Sequence, residues 1–145
     1  MSAAALLDTN ALIWLLAGEP MTVESLIAIA DARQQGRLYV SPISAWEAAL
    51  AVRKTNPVRR PDLSGLDAAG WFRAGRTALG ARLIPIGQSI ALEAARVPAH
   101  LGHKDPGDCF LLATAHLRRL PLVTRDAAID RLATDNPDYV EVVVC

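Results

Sequence analysis

Cysteine is scarce, with only Cys109 and Cys145 in 145 residues. Two isolated thiols do not make the disulfide framework of a small secreted domain, so both read as free and a reducing compartment, the cytoplasm, is the default. No Cys and His spacing resembles a structural zinc site. Net charge is also missing: 15 Lys plus Arg balance 15 Asp plus Glu. At face value this argues against a dedicated phosphate binder, because such proteins are usually strongly basic. Long apolar runs are absent as well. Mean hydropathy is +0.23, yet the longest uncharged run near the start, Thr9 to Gly18, is too short to span a bilayer. It follows an Asp and has no basic n-region, so no signal peptide is expected. Neither a fixed-period repeat nor a low-complexity linker divides the chain, which reads as one domain over 1–145. A chain of this length buries roughly two thirds of its unfolded surface, enough for a core without staples.

What is present is an alternation of short apolar runs with helical stretches. Ala3–Leu7 is an apolar run ended by Asp8, and Asn10–Ala17 is the expected first helix, closed by Gly18 and Pro20. Thr22 with Ser25 opens a second helix that ends at Gly36, before a strand over Leu38–Val40. Ser44 is positioned to cap a helix from Ala45 to about Lys54, with Glu47 in its first turn. Asn56, Pro57, Pro61 and Ser64 mark a surface loop at about 55–66, after which Asp67 caps a helix to about Leu79. A strand over Leu83–Ile86, a helix over Ser89–Ala95 and a loop from Val97 to Gly107 come next. The chain closes with a helix Asp108–Leu120, a strand Leu122–Thr124, a helix Ala127–Ala133 and a strand Val140–Val144. This order predicts an α/β fold with a central, mostly parallel sheet flanked by helices on both faces. Ligands of such folds collect beyond the carboxyl ends of the strands.

Several acids fall at just those ends. Asp8 closes the first strand, Glu47 follows the second, Asp105 and Asp108 precede the long C-terminal helix, and Asp126 lies two residues beyond Leu122–Thr124. Taken singly, each is as well explained by a helix cap, a first-turn charge or, for Asp105 before Pro106, a shaped turn. Together they read as a cleft of carboxylates, which repel and raise one another's pKa unless a cation compensates. Oxygen ligands without thiolate or paired His select Mg²⁺ or Mn²⁺. Such a site suits metal-assisted hydrolysis of a phosphate ester.

Four blocks carry a resemblance: Leu7-Asp8-Thr9-Asn10-Ala11-Leu12-Ile13-Trp14, Val40-Ser41-Pro42-Ile43-Ser44-Ala45-Trp46-Glu47, His103-Lys104-Asp105-Pro106-Gly107-Asp108 with the following Leu111-Leu112-Ala113-Thr114-Ala115, and Leu122-Val123-Thr124-Arg125-Asp126. In order and spacing they resemble PIN domains, and among these the VapC-type ribonuclease toxins of prokaryotic toxin–antitoxin pairs. The resemblance implies a single PIN domain whose Asp8, Glu47, Asp108 and Asp126 bind Mg²⁺ or Mn²⁺ and hydrolyse RNA phosphodiesters, with Asp105 as a further candidate ligand. Asn10 and Thr124 match polar positions that support the acids by hydrogen bonds. The chain departs from the pattern at Gly107, where similar toxins often carry an aromatic, and at Cys109, where many carry Arg; both changes are expected to touch packing and RNA contact while leaving the acids intact.

A haloacid-dehalogenase phosphatase would want Asp where Asn10 stands, and a receiver domain a late lysine, whereas the only lysines are Lys54 and Lys104. A PIN-like module that binds RNA or protein without turnover is the remaining alternative, and the full acid set argues against it. His103 is a candidate general acid, with His100 and His116 weaker claimants. The resemblance also implies a cognate antitoxin, which inhibits by placing an Arg against the acidic site or by covering it, and a homodimer. Leu12 to Leu16, Leu26, Ile27 and Ile29 are expected to be mostly core, the remainder forming such contacts.

The zero net charge is a cancellation. Met1–Glu47 holds two basic and five acidic residues, Ala48–Leu92 seven against two, and Glu93–Cys145 six against eight. The basic middle, with Arg53, Lys54, Arg59 and Arg60 as candidate RNA contacts, predicts modest affinity for phosphates.

Overall fold

The computed structural model describes residues 3–54 and 56–145; of Arg59 the backbone is described, and its proposed RNA contact, like Thr55 in the expected loop, lies outside what is described. Among the described residues, five parallel strands, β1 (Ala5–Leu7), β2 (Leu38–Val40), β3 (Arg82–Leu83), β4 (Leu122–Thr124) and β5 (Val142–Val144), lie in the order β3-β2-β1-β4-β5. Seven helices connect them: α1 (Thr9–Ala17), α2 (Val23–Gln34), α3 (Pro42–Ala51), α4 (Ala68–Leu79), α5 (Gln88–Leu101), α6 (Pro106–Arg118) and α7 (Ala127–Asp135). The expected sheet is thus wholly parallel. None of the described helices is long and apolar enough to cross a membrane.

Burial on both faces explains why β1 is Ala-Leu-Leu with no polar alternation. Leu6 and Leu122 join a core with Ile90, Val97 and Leu112 from α5 and α6, whereas Ala5, Leu7 and Val123 join a second with Leu12, Ile29 and Trp71 from α1, α2 and α4. From β1 the chain steps outward through β2 to β3 and then returns to β4 on the other side, so the strand order reverses between β1 and β4. That crevice is where parallel sheets bind ligands.

Four expectations are corrected. Glu47 is not in a first turn: Ser41 rather than Ser44 caps α3, its Oγ accepting from Ile43 N at 3.1 Å, and Pro42 takes the first helical position, where its missing N–H costs nothing. Strand β3 is shifted and short because Ile84 N–H makes its last ladder bond, to Val40 O at 3.0 Å, and Pro85 has no donor. The region read as a loop from Val97 is helical to Leu101, where Gly102 at φ 74° ends it. Ala94 and Val97 are buried in the core beside α6, and that burial outweighs the missing N–H of Pro98. Leu26 and Ile27 are 44% and 56% exposed, because α2 turns its Ser25, Ile29 and Ala32 face inward. Restoring the donor with Pro98→Ala should raise stability by about 1 kcal/mol or more. A urea midpoint that stays put or falls would mean that α5 is better served by proline at this position.

Candidate active site

The first acid stands at the strand-order reversal. Asp8 follows β1 in extended conformation, caps α1 by accepting from Ala11 N at 2.7 Å, and is buried. Burial pushes its pKa up to about 6. Hydrogen bonds from the Thr124 hydroxyl and the Ala11 N–H hold it down, while the charges of Asp108 and Asp126 push it further up. Thr124, at the end of neighbouring β4, also accepts from Asp126 N at 3.1 Å, so one buried hydroxyl joins two of the acids.

Glu47 enters from α3 one turn after Ser44, so both face the start of α1. Thr9 Oγ1 donates to Glu47 Oε1 at 2.5 Å and lies 3.0 Å from Ser44 Oγ. Thr9 has a single hydroxyl proton, and its donation to Glu47 leaves the Ser44 hydroxyl as donor to Thr9. Thr9 was assigned no role in the sequence, although Ser44 and Glu47 at i and i+3 were a signal that something polar lay opposite. Burial raises the Glu47 pKa against the Thr9 bond, and the charges of Asp108, Asp105 and Asp8 raise it further. On its other side Glu47 lies against Gly107, where an added β-carbon would stand 2.5 Å from the Glu47 carboxyl carbon. The departure at Gly107 therefore does touch an acid.

At the start of α6 the cap is Asp105, expected to shape the turn before Pro106, rather than Asp108. It accepts from Asp108 N at 3.0 Å, and Asp108 sits in the first turn. Pro106 fixes this register at the first helical position. Burial raises the Asp108 pKa, His103 opposes it through Nε2 at 2.8 Å from Oδ2, and Asp105 and Asp126 raise it.

Asp8, Glu47, Asp105 and Asp108 line one cavity of about 360 Å³ together with buried Thr9, exposed Asn10, Trp46, Leu50 and Lys54. Its donors are oxygens. The acids push up one another's pKa, so a cation placed among them would relieve that repulsion. Among the described residues no three His, Cys, Asp or Glu side chains close around one point as a ready metal cage. Mg²⁺ needs no such cage, since it keeps several waters and takes one or two carboxylates directly.

With this geometry in view, a family model described as PIN domain matches residues 5–135. The chain belongs to the PIN domain family. Its fold is that of solved structures of a toxin–antitoxin complex from Klebsiella pneumoniae (27% identity, TM-score 0.62, 97% of this chain and 96% of that one), a DNA-bound VapBC from Salmonella typhimurium (16%, 0.67, 97% of each chain) and VapBC-5 from Mycobacterium tuberculosis (21%, 0.62, 99% of each). A sequence search of curated proteins gives no match.

The remaining candidates of this PIN domain divide. Asp126 is exposed, caps α7 by accepting from Ala128 N at 2.8 Å and Ile129 N at 3.1 Å, and lies outside the cavity lining, though its charge reaches Asp8 and Asp108. The turn carrying it is tied down by Arg125, whose Nε donates to Cys145 O at 2.9 Å, whose Nη2 donates to Pro20 O at 2.8 Å, and whose guanidinium lies 3.8 Å over the Trp14 ring. Of the basic candidates whose side chains are described, Lys54 lines the cavity; Arg53 and Arg60 are exposed, and Arg60 Nε donates to Lys54 O at 2.6 Å. His116 stacks on Tyr139 at 3.9 Å, with His100 6.0 Å from the same ring, remote from the acids in the cavity.

His103 does not line the cavity and acts through Asp108. In His103→Gln the opposing charge and the fixed hydrogen bond are lost, so the Asp108 pKa should climb and the acidic limb of any pH–rate profile should move to higher pH. A fall in rate with an unmoved profile would mean that His103 holds the loop only.

Proposed function

We propose that this PIN domain is a Mg²⁺- or Mn²⁺-dependent endoribonuclease and the toxin of a type II toxin–antitoxin pair, acting in the cytoplasm to stop translation and growth when its antitoxin is absent. The observation that carries the reading is the cavity lined by buried Asp8 and half-buried Glu47 and Asp108, raised in pKa by burial and then by neighbouring acids, and each held by a separate hydroxyl or imidazole. Asp8, Glu47 and Asp108 would hold the ion, with Asp105 and Asp126 contributing charge at the rim. Bound there, the ion activates water and offsets the charge that grows on the phosphate. Thr124, Thr9 and His103 keep the three carboxylates aimed inward, and Asn10 presents a neutral amide at the cavity where a substrate oxygen needs a donor. The antitoxin is supported by likeness to the Klebsiella toxin–antitoxin complex, and the exposed Val23, Leu26 and Ile27 stripe of α2 offers apolar area for it or for a second copy.

The test is cleavage of a mixed RNA pool. Turnover is expected with Mg²⁺ or Mn²⁺ and should vanish with EDTA, in Asp8→Asn and in Glu47→Gln. Equal cleavage by wild type and both variants would remove the mechanism, and RNA binding without any cleavage would make the chain a binding module.

A further inference from the structure

We propose that the indole of Trp46 stacks an unpaired nucleobase next to the scissile phosphodiester and is a specificity-determining contact of this chain; this rests on the ribonuclease reading of the same cavity. The chain's three tryptophans are treated differently. Trp71 is buried against Phe72, and Trp14 is half-buried under Arg125. Trp46 is 48% exposed, and among the described residues it has no ring or cation partner. It is nevertheless well placed, since it precedes Glu47 and both line the acid cavity, with Leu50 one turn further on and 47% exposed.

Electrostatics explains why such a surface is needed. Among the described residues the cavity wall carries four carboxylates, Asp8, Glu47, Asp105 and Asp108, against one cation, Lys54. Even with a divalent ion bound, that wall gives little net attraction for a polyanion. Stacking is indifferent to charge: one base on one aromatic face is worth about 1–3 kcal/mol and tolerates any base. A duplex hides both faces of its bases in the helical stack, so it gains none of this. Because Trp46 and Glu47 line the same cavity, a base held on the indole leaves its own phosphate beside the acids, with Lys54 there for a neighbouring phosphate.

The test uses the full chain and one unstructured RNA oligonucleotide with a mapped cut, together with copies abasic at each position around the cut and with its duplex. Trp46→Ala should lower kcat/KM about tenfold on the intact strand. Trp46→Phe should restore most of the loss, and Trp46→Leu, apolar but without a π face, should restore little. On the copy abasic at one particular position, wild type and Trp46→Ala should become equal, and duplex should be a poor substrate for all. Equal rates for wild type and Trp46→Ala on the intact strand, or Leu as good as Phe, would overturn the stacking role while leaving the nuclease reading in place. Wild type that neither cuts nor binds the strand would overturn both. Circular dichroism and urea midpoints of the variants separate this from misfolding.

Discussion

Asp8→Asn should abolish metal-dependent RNA cleavage, a loss of at least about a thousandfold, and should at the same time stabilise the metal-free protein at pH 7.5. The first effect follows, on the proposed mechanism, from removing the most deeply buried carboxylate of the cavity at the strand-order reversal. The second follows from its pKa. Folding raises the Asp8 pKa from 3.8 to about 6, so the folded state binds the proton more tightly than the unfolded chain does. Its contribution is favourable when protonated, is lost as pH rises from about 4 to about 6, and stays lost above that. Two units correspond to a penalty on the order of 2–3 kcal/mol at pH 7.5 in the absence of a cation. Asn carries no charge and caps a helix as well as Asp, so the Ala11 N–H keeps its partner. Urea unfolding in chelator should therefore show wild type more stable at pH 5 than at pH 7.5, with the gap narrowed in the variant. It should not close, because Glu47 and Asp108 are raised as well. Mg²⁺ should stabilise wild type and not the variant. A variant less stable than wild type at pH 7.5 would contradict this account.

Gly107→Ala should cost activity by roughly a hundredfold while leaving stability within about 1 kcal/mol of wild type. Gly107 is in the first turn of α6 with ordinary helical backbone, where alanine is intrinsically favoured. The added methyl carbon would meet the Glu47 carboxyl carbon and Oε2 at 2.5 Å each and Oε1 at 2.9 Å. Those atoms are the far end of a flexible side chain, so the fold escapes the clash at little cost by moving Glu47. The move breaks the 2.5 Å bond from Thr9 and takes a carboxylate out of position. Retained activity with a large loss of stability would place the strain in the backbone and refute the explanation.

Legibility of the chain in its sequence followed locality. Caps that act within one turn were plain: Thr22 for α2, Asp67 for α4, and the Gly18 stop of α1, each a single residue type with one backbone job. The acids were legible as a set because they cluster at strand ends, where a parallel sheet gathers them. Less visible was whatever depends on a partner distant in sequence. The sequence points to Ser44 as the cap of α3, but Ser41 caps it and the Ser44 hydroxyl bonds Thr9, 35 residues away. Pro98 looked like a helix end because local propensity says so, and packing against α6 overrode it. Gly107 read as a change in packing until its contact with an acid sixty positions away was known.

The hydroxyl of Thr124 has a consequence for how the enzyme comes into being. Ribosomes deliver Asp8 early and Thr124 late, and β1 has β4 as one of its two neighbours. Until residues 122–124 have docked in register, Leu6 beside Leu122 and Leu7 beside Val123, one edge of the central strand is open and the carboxylate of Asp8 lacks its anchor. No nascent fragment short of β4 holds an assembled site. On the proposed ribonuclease reading, a fragment that stops short of β4 should not cleave RNA.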